Sequence, residues 1–427
     1  MNSAQRKSWT LNLGFGPASA ALAIAIVFAL MVVTQSAQAQ TFQVLYNIVG
    51  GENGELPNGG LAMDRAGNLY GTTAAGGAQS CGCGIVFMLK RSGHGWTFNP
   101  IYRFKGGSDG SYPYARVVLG PDGTLYGTTG GGGSGYGTVY NLRPKPTACM
   151  SALCPWSETV LYKFLGGPVD GAFPTDEVVF DREGDLYGTT NRGGLYNVNC
   201  TYGLDYCGTV FKMSPSNGGW TESLLYSFTG GDDGSDPYAG LTLDAAGNLY
   251  GTALTNGAGN GGTVFQLTPS GSGWVENTLY SFNRQGNSGY EPLNGLIFDS
   301  QGNLYGGTPT GGAGGAGTAF QLTPSGSGWS FNLLYSFFGG ESGPAGSLLM
   351  DGAGNLYGTA YSLYTNGLIY KLTPSNGSWI YTVLHQFKGQ DGRGPNGAII
   401  MDAEGNLYGT TFAGGAYDWG VVWEITP

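Results

Sequence analysis

A short sequence, Gly-Asn-Leu-Tyr-Gly or a near variant, recurs seven times in this chain, with its Tyr at positions 70, 126, 187, 250, 305, 357 and 408. Successive copies lie 56, 61, 63, 55, 52 and 51 residues apart. A proline stands 13 residues before every repeat Tyr: Pro57, Pro113, Pro174, Pro237, Pro292, Pro344 and Pro395. Such a period marks a repeat architecture, in which each unit buries its apolar face against its neighbours. The constant proline-to-tyrosine distance leaves no room for insertions there, whereas the pieces between vary in length.

Each unit reads as four strands. In the fourth copy they are Leu241-Thr242-Leu243, Asn248 to Thr252, Gly262 to Thr268 and Trp274 to Phe282. The Asp-x-x-Gly-Asn between the first two is a hairpin turn: Asp bonds amides ahead of it, and Gly and Asn accept positive φ. Four short strands per repeat form a propeller blade, whereas a β-solenoid uses shorter units. The expected fold is all-β: a seven-bladed β-propeller of four-stranded blades. The ends agree. Phe42 to Ile48 matches a fourth strand, and Gly420 to Thr426 a third. The N-terminal strand should complete the blade begun by residues 398–426, closing the ring and removing edges that invite aggregation.

The 81 Gly among 427 residues would suggest low complexity, but 27 Tyr, 20 Phe and 9 Trp supply the apolar surface of a core. A formal charge of −10 gives no basic footprint for nucleic acid or anionic lipid. Residues 1–39 read as a signal peptide, with Arg6 and Lys7, an apolar run from Ala20 to Val33, and Ala37-Gln38-Ala39 as cleavage site. Residues 40–427 are then the propeller, secreted or periplasmic. A monomer is expected, with no later membrane span or C-terminal anchor, since the chain stops at Pro427 inside its last repeat.

Gly-Asn-Leu-Tyr-Gly-Thr-Thr, then Gly-Thr-Val-Phe-x-Leu-Thr-Pro and Leu-Tyr-x-Phe-x-Gly-Gly, resembles the GloVer tandem repeats, named for Gloeobacter and Verrucomicrobia. The resemblance covers about residues 41–427 and implies export without an established activity. The Asp-x-x-Gly-Asn-Leu-Tyr hairpin is also similar to NHL propellers and streptogramin lyase. In that lyase, catalysis is associated with His and Glu around a metal. The two histidines here, His94 in a turn and His385 where other repeats carry Tyr, are not placed like a catalytic base.

Residues shared by all blades read as scaffold, and departures on one face as candidates. The hairpin Asp occurs in six copies and Gly120 replaces it in the second. It reads as a turn residue, as do Asp109, Asp170, Asp233, Asn287, Glu341 and Asp391 before the prolines. No calcium loop, other metal site or cofactor motif is expected. The fourth-to-first and second-to-third strand loops share one face. Tyr202 lies in the long loop 191–207, Tyr361 and Tyr364 in blade six, and Phe412, Tyr417, Asp418 and Trp419 in blade seven. Rings beside carboxylates and amides suit a sugar, so an exposed platform on blades six and seven would hold a glycan or another envelope ligand.

Three residues after the proline most blades carry Gly, Ser or Ala, but blade two has Arg116 and blade three Glu177. They read as an ion pair or as a polar anchor at the channel mouth. Asp176 precedes Glu177, but successive strand residues face opposite ways, so an acid/base pair is not expected from these two. Cys149–Cys154 and Cys200–Cys207 are plausible local disulfides, while Cys81-Gly82-Cys83 leaves open a strained bond, other partners, free thiols or a soft metal. No Gly-x-Ser-x-Gly elbow, phosphate loop or His-Glu-x-x-His is present. The balance leans to a binding module, with a channel-mouth lyase or hydrolase and an envelope scaffold as alternatives.

Overall fold

Blade four shows how the repeat folds. Thr242–Leu243, Leu249–Ala253, Asn260–Ser270 and Gly273–Asn283 form an antiparallel sheet in chain order. The outer two strands run further than the sequence indicates, because their hairpin pairs up to Ser270 and Gly273. The computed structural model describes residues 40–93, 95–145, 156–200, 206–271, 273–326, 328–338, 343–361 and 365–426. The expected signal peptide lies outside them. Residues Phe42–Thr426 form one unit. It is a seven-bladed β-propeller with four main strands per blade, and without α-helix among the described residues. The last blade runs Thr41–Asn47, Val421–Thr426, Leu407–Thr411, Ile400–Met401, so the N-terminal strand is its outer edge.

The recurrent motif is the second strand, and every residue of Leu-Tyr-Gly-Thr-Thr in blade one is buried. Its Leu lies between blades, with Leu69, Leu125, Leu186, Leu249, Leu304 and Leu356 fully buried. Its Gly makes room for the third strand's aromatic ring. A Cβ on Gly251 would sit 2.6 Å from Phe265, and one on Gly409 closer still to Trp423. Its Tyr has two partners. Tyr250 donates to Asp244 at 3.0 Å and packs edge-on against Trp329 of the next blade, 6.2 Å between centroids. Such pairs contribute about 0.5–1.5 kcal/mol beyond area burial. The same contact joins Tyr70 to Trp156, Tyr126 to Trp220, Tyr187 to Trp274, Tyr305 to Trp379 and Tyr408 to Trp96. The following Thr reaches the next blade's inner segment: Thr72 donates to the Ala115 carbonyl at 2.8 Å and Thr410 to that of Gly59 at 2.9 Å.

The hairpin Asp is a turn residue. One oxygen of Asp244 accepts the Ala246 and Asn248 amides and the other accepts Asn248 Nδ2 and Tyr250. Burial pushes its carboxyl up, but the bonds from Asn248, Tyr250 and Ala246 outweigh this and hold it below its usual range. In blade two, where Gly120 stands at this position, Asp122 takes over and accepts Thr124 and Tyr126. The acidic residues before the prolines behave likewise. Asp109, Asp170 and Asp233 accept Tyr102, Tyr162 and Tyr226, and Asp391 bonds His385 at 2.9 Å. His385 thus replaces a tyrosine within the scaffold.

The outer rim has two kinds of junction. In four, the ring of one outer strand stacks on a ring of the next: Tyr280 on Phe331, Tyr335 on Tyr381, His385 on Phe42 and Tyr46 on Phe98. At the junctions leading into blades two, three and four the stacking ring is replaced by Glu158, Glu222 and Glu276. Burial, with Asp109 and Asp170 nearby, raises Glu158 and Glu222 to about 7. Glu276 also stands at about 7: burial and Asp233 raise it, and the Thr278 hydroxyl lowers it.

Candidate functional site

The segment after each proline runs to the channel axis, and the residue before the proline aims it. Leu56, Tyr112, Phe173, Asp236 and Glu291 have φ between 56° and 62°, a region that costs a residue with a Cβ roughly 1–2 kcal/mol. Both backbone groups are paired there. The Tyr112 N–H donates to Cys83 O and Tyr112 O accepts the Gly130 N–H, both at 2.9 Å. Asp236 repeats this with Cys207 at 2.8 Å and Leu254 at 3.1 Å. These bonds fix the next three residues of each blade at the axis.

A cavity of about 370 Å³ opens there, lined by residues of all seven blades. Its wall is asymmetric. Blades two to five contribute Tyr114, Arg116, Thr175, Asp176, Glu177, Tyr238 and Asn294, while blades six, seven and one contribute mainly Gly, Ala and Ser. Close backbone approach explains the small side. A Cβ on Gly346 would meet the Gly397 carbonyl oxygen at 2.5 Å, and one on Gly397 that of Gly59 at 2.8 Å.

Arg116 and Glu177 are paired across the junction of blades two and three. Arg116 Nη2 donates to Glu177 Oε1 at 2.7 Å and Nε contacts Oε2, with side chains 29% and 23% exposed to the channel. Asp176 also lines the cavity. Alternation does not separate it from Glu177, because the strand begins only at Val179 and both residues belong to the irregular segment before it. The Glu177 N–H donates to Asp176 Oδ1 at 2.8 Å and the Gly240 N–H to Oδ2 at 2.7 Å. Burial and the Glu177 charge raise the Asp176 carboxyl to about 7, against these bonds and Arg116.

Tyr114 and Tyr238 were not singled out from sequence. The signal was two positions earlier than Arg116, in the residue directly after each proline, which is Asn, Tyr, Thr, Tyr, Leu, Ala and Asn in turn. Tyr114 lies beside Tyr112, 6.1 Å between centroids at 16°. Burial raises the Tyr238 phenol, with Tyr114 and Asp176 adding to the effect. Beyond the cavity, Tyr112, Tyr136, Phe173, Leu195 and Tyr196 are exposed on the same face of blades two and three.

Of the aromatic residues expected on the loop face, Tyr361 lines this cavity. Tyr417, Asp418 and Trp419 do not. Tyr417 and Trp419 are exposed, and the Trp419 ring lies over Gly50, on the loop leading into blade one. Asp418 caps its own turn by accepting the Gly414 N–H at 3.1 Å, with Arg393 at 3.5 Å. Tyr202, Tyr364, Cys149 and Cys154 lie outside the described residues. Cys200 and Cys207 are bonded within their loop, and Cys81 and Cys83 to each other. Among the described residues no group of three or more His, Cys, Asp or Glu is arranged to hold a metal ion, and no helix is long and apolar enough to cross a membrane.

The Gloeobacter/Verrucomicrobia repeat model matches residues 30–202, 154–274 and 193–423. The chain belongs to that repeat family. No curated protein sequence matches it. Among solved structures, an ulvan lyase described as a new family of polysaccharide lyase is similar at 12% identity, over 90% of this chain and 95% of that one, with a TM-score of 0.52. A Bacteroides fragilis protein provisionally named a 6-phosphogluconolactonase is similar at 13% identity, over 82% of this chain and 88% of that one, with a TM-score of 0.52. A Xanthomonas campestris gluconolactonase is similar at 12% identity, over 91% and 90%, with a TM-score of 0.42. At these identities the likeness is one of fold.

Proposed function

We propose that this chain is an exported binding module that holds a small extracellular saccharide at the mouth of its central channel. The observation carrying this reading is the asymmetric cavity, with Tyr114, Tyr238 and all three charged side chains on one wall and mostly small residues, beside Asn58, Tyr361 and Asn396, on the other. Its volume, about 370 Å³, lies within the usual range of small-molecule sites, and tyrosine faces beside carboxylate and amide groups match a sugar's C–H faces and hydroxyls. Export accords with the signal-like residues 1–39 and the two disulfides. A longer glycan would extend over the loop face toward Tyr417, Asp418 and Trp419. Glycan-array screening followed by calorimetry tests this: Tyr114→Ala is expected to weaken a detected saccharide at least about tenfold, the scale of one lost ring contact. An envelope scaffold or protein-binding role predicts instead that no glycan binds.

One observation favours a second reading, a lyase or hydrolase. At about 7, the Asp176 carboxyl can take up or release a proton at neutral pH, and it lies beside Glu177 on the cavity wall. Turnover lost in Asp176→Asn and Glu177→Gln would support it, and equal turnover in both variants would remove these residues from any mechanism.

A further inference from the structure

We infer that the ligand selected here carries a positively charged amine, seated between the Tyr114 and Tyr238 rings and the Asp176 and Glu177 carboxyls. This rests on the channel mouth being the binding site, and names the chemistry it prefers.

Charge is the first argument. The charged residues lining the cavity are Arg116, Asp176 and Glu177, one guanidinium against two carboxyls. Arg116 engages Glu177 with both Nη2 and Nε, so that pair is close to neutral. A uronate, phosphate or sulfate would find that guanidinium already occupied and a second carboxyl beside it. An amine finds the opposite. Asp176 is fixed by one backbone N–H on each oxygen, and each oxygen keeps accepting capacity for a further donor. The aromatic wall is the second argument. Tyrosine faces attract cations through the ring quadrupole, and rings beside a carboxylate are a recurring way to hold an ammonium group. Arg192, the cation near Tyr238, is paired with the buried Asp236. The small side chains opposite leave space for the body of the ligand.

The charged and titratable groups facing Asp176 are Glu177 on its own blade, Arg116 on blade two and Tyr238 on blade four. With its carboxyl at about 7, Asp176 is about tenfold less ionised at pH 6 than at pH 8. An ammonium ligand binds the ionised form, so its affinity should rise with pH through that window.

Calorimetry on the mature chain tests this with four probes: the free-amine disaccharide of glucosamine, its N,N′-diacetyl form, a uronate disaccharide, and choline, whose charge does not titrate. At pH 7 the free amine should bind at least about tenfold tighter than the acetylated form, as one charge contact between partly buried groups would give. Choline should bind about tenfold tighter at pH 8 than at pH 6, following the ionised fraction. Asp176→Asn should abolish both differences. The choline measurement uses unaltered protein, so it stands even where that variant misfolds. Equal affinity for free and acetylated amines, or tighter binding of the uronate, overturns the amine inference; sugar binding lost in Tyr114→Ala would then still uphold the saccharide reading. Choline binding without any sugar binding upholds the amine and removes the saccharide. Silence from all four probes overturns both.

Discussion

Blades two to four differ from the rest of the ring at both radii. Along the axis they carry Tyr114, Arg116, Asp176, Glu177 and Tyr238, where blades six, seven and one have mainly Gly, Ala and Ser. On the rim their junctions hold Glu158, Glu222 and Glu276, where the other four stack ring on ring. One sector is therefore packed as scaffold, backbone against backbone inside and aromatic against aromatic outside. The other gives up stacking and accepts half-buried carboxyls. Groups that cost stability and cluster in one sector indicate where the ring has been shaped for something besides folding.

The comparison assumes a closed ring, and the most disruptive test removes closure. Deleting residues 41–47 strips the last blade of its outer strand and exposes the edge of Val421–Thr426. Aggregation on size-exclusion chromatography is the expected outcome, and a monomeric, cooperatively melting product would break the model of closure. Next comes Gly397→Val in the scaffold sector. The added atoms would press on the backbone of Gly59 and Gly60, which cannot swing aside, at a cost of roughly 1–3 kcal/mol in urea unfolding. Tyr238→Ala in the polar sector removes a partly exposed ring and should cost less than about 1 kcal/mol. Equal losses would erase the distinction between sectors.

Opposite pH responses set the rim carboxyls of blades two to four against the hairpin carboxyls found around the ring. Glu158, Glu222 and Glu276 stand at about 7 folded, above about 4.3 unfolded. A raised carboxyl contributes stability that is complete below the unfolded pKa and lost as pH climbs through the folded one. The melting temperature should fall between pH 5 and pH 8, and the triple Glu→Gln variant should flatten that slope. The hairpin carboxyls Asp122, Asp244, Asp299, Asp351 and Asp402 are depressed, so their contribution is present above about 3.9 and disappears as pH drops through the lower folded values. Acid unfolding should begin there. The smallest effect belongs to Glu276→Phe, which restores a ring opposite Tyr226. A gain of about 0.5–1 kcal/mol is expected from the new stack, and destabilisation would show that the aromatic junctions owe their strength to something else.

The ring was legible because its signals repeat. Seven tyrosines at fixed distance from seven prolines define the blades, and the match of Phe42–Ile48 to a fourth strand identifies the closing partner. Strand ends were less legible, since the outer hairpins extend into residues with no apolar alternation. At the channel, Arg116 and Glu177 stood out because they break a small-residue position, and they are paired in the structure. Strand alternation is no guide to Asp176, because the strand begins only at Val179. Tyr114 and Tyr238 are hard to single out because tyrosine is common in this chain, and only the fold brings these two to the cavity wall. Asp122 shows the converse: a hairpin that lost its Asp at Gly120 recovers the same bond to Tyr126 from two residues along.

The strand Thr41–Asn47 pairs with Val421–Thr426, almost the full length of the chain away. On a ribosome, the first strand made therefore waits for the last. Until both are present the propeller has two open ends, and neither blade one nor blade seven has its final neighbour. Pairing this distant is slow to form and is rewarded only at the end of folding. A chain built so is held back from completing its fold while still emerging, and its last blade becomes whole only once both ends of the ring are free to meet.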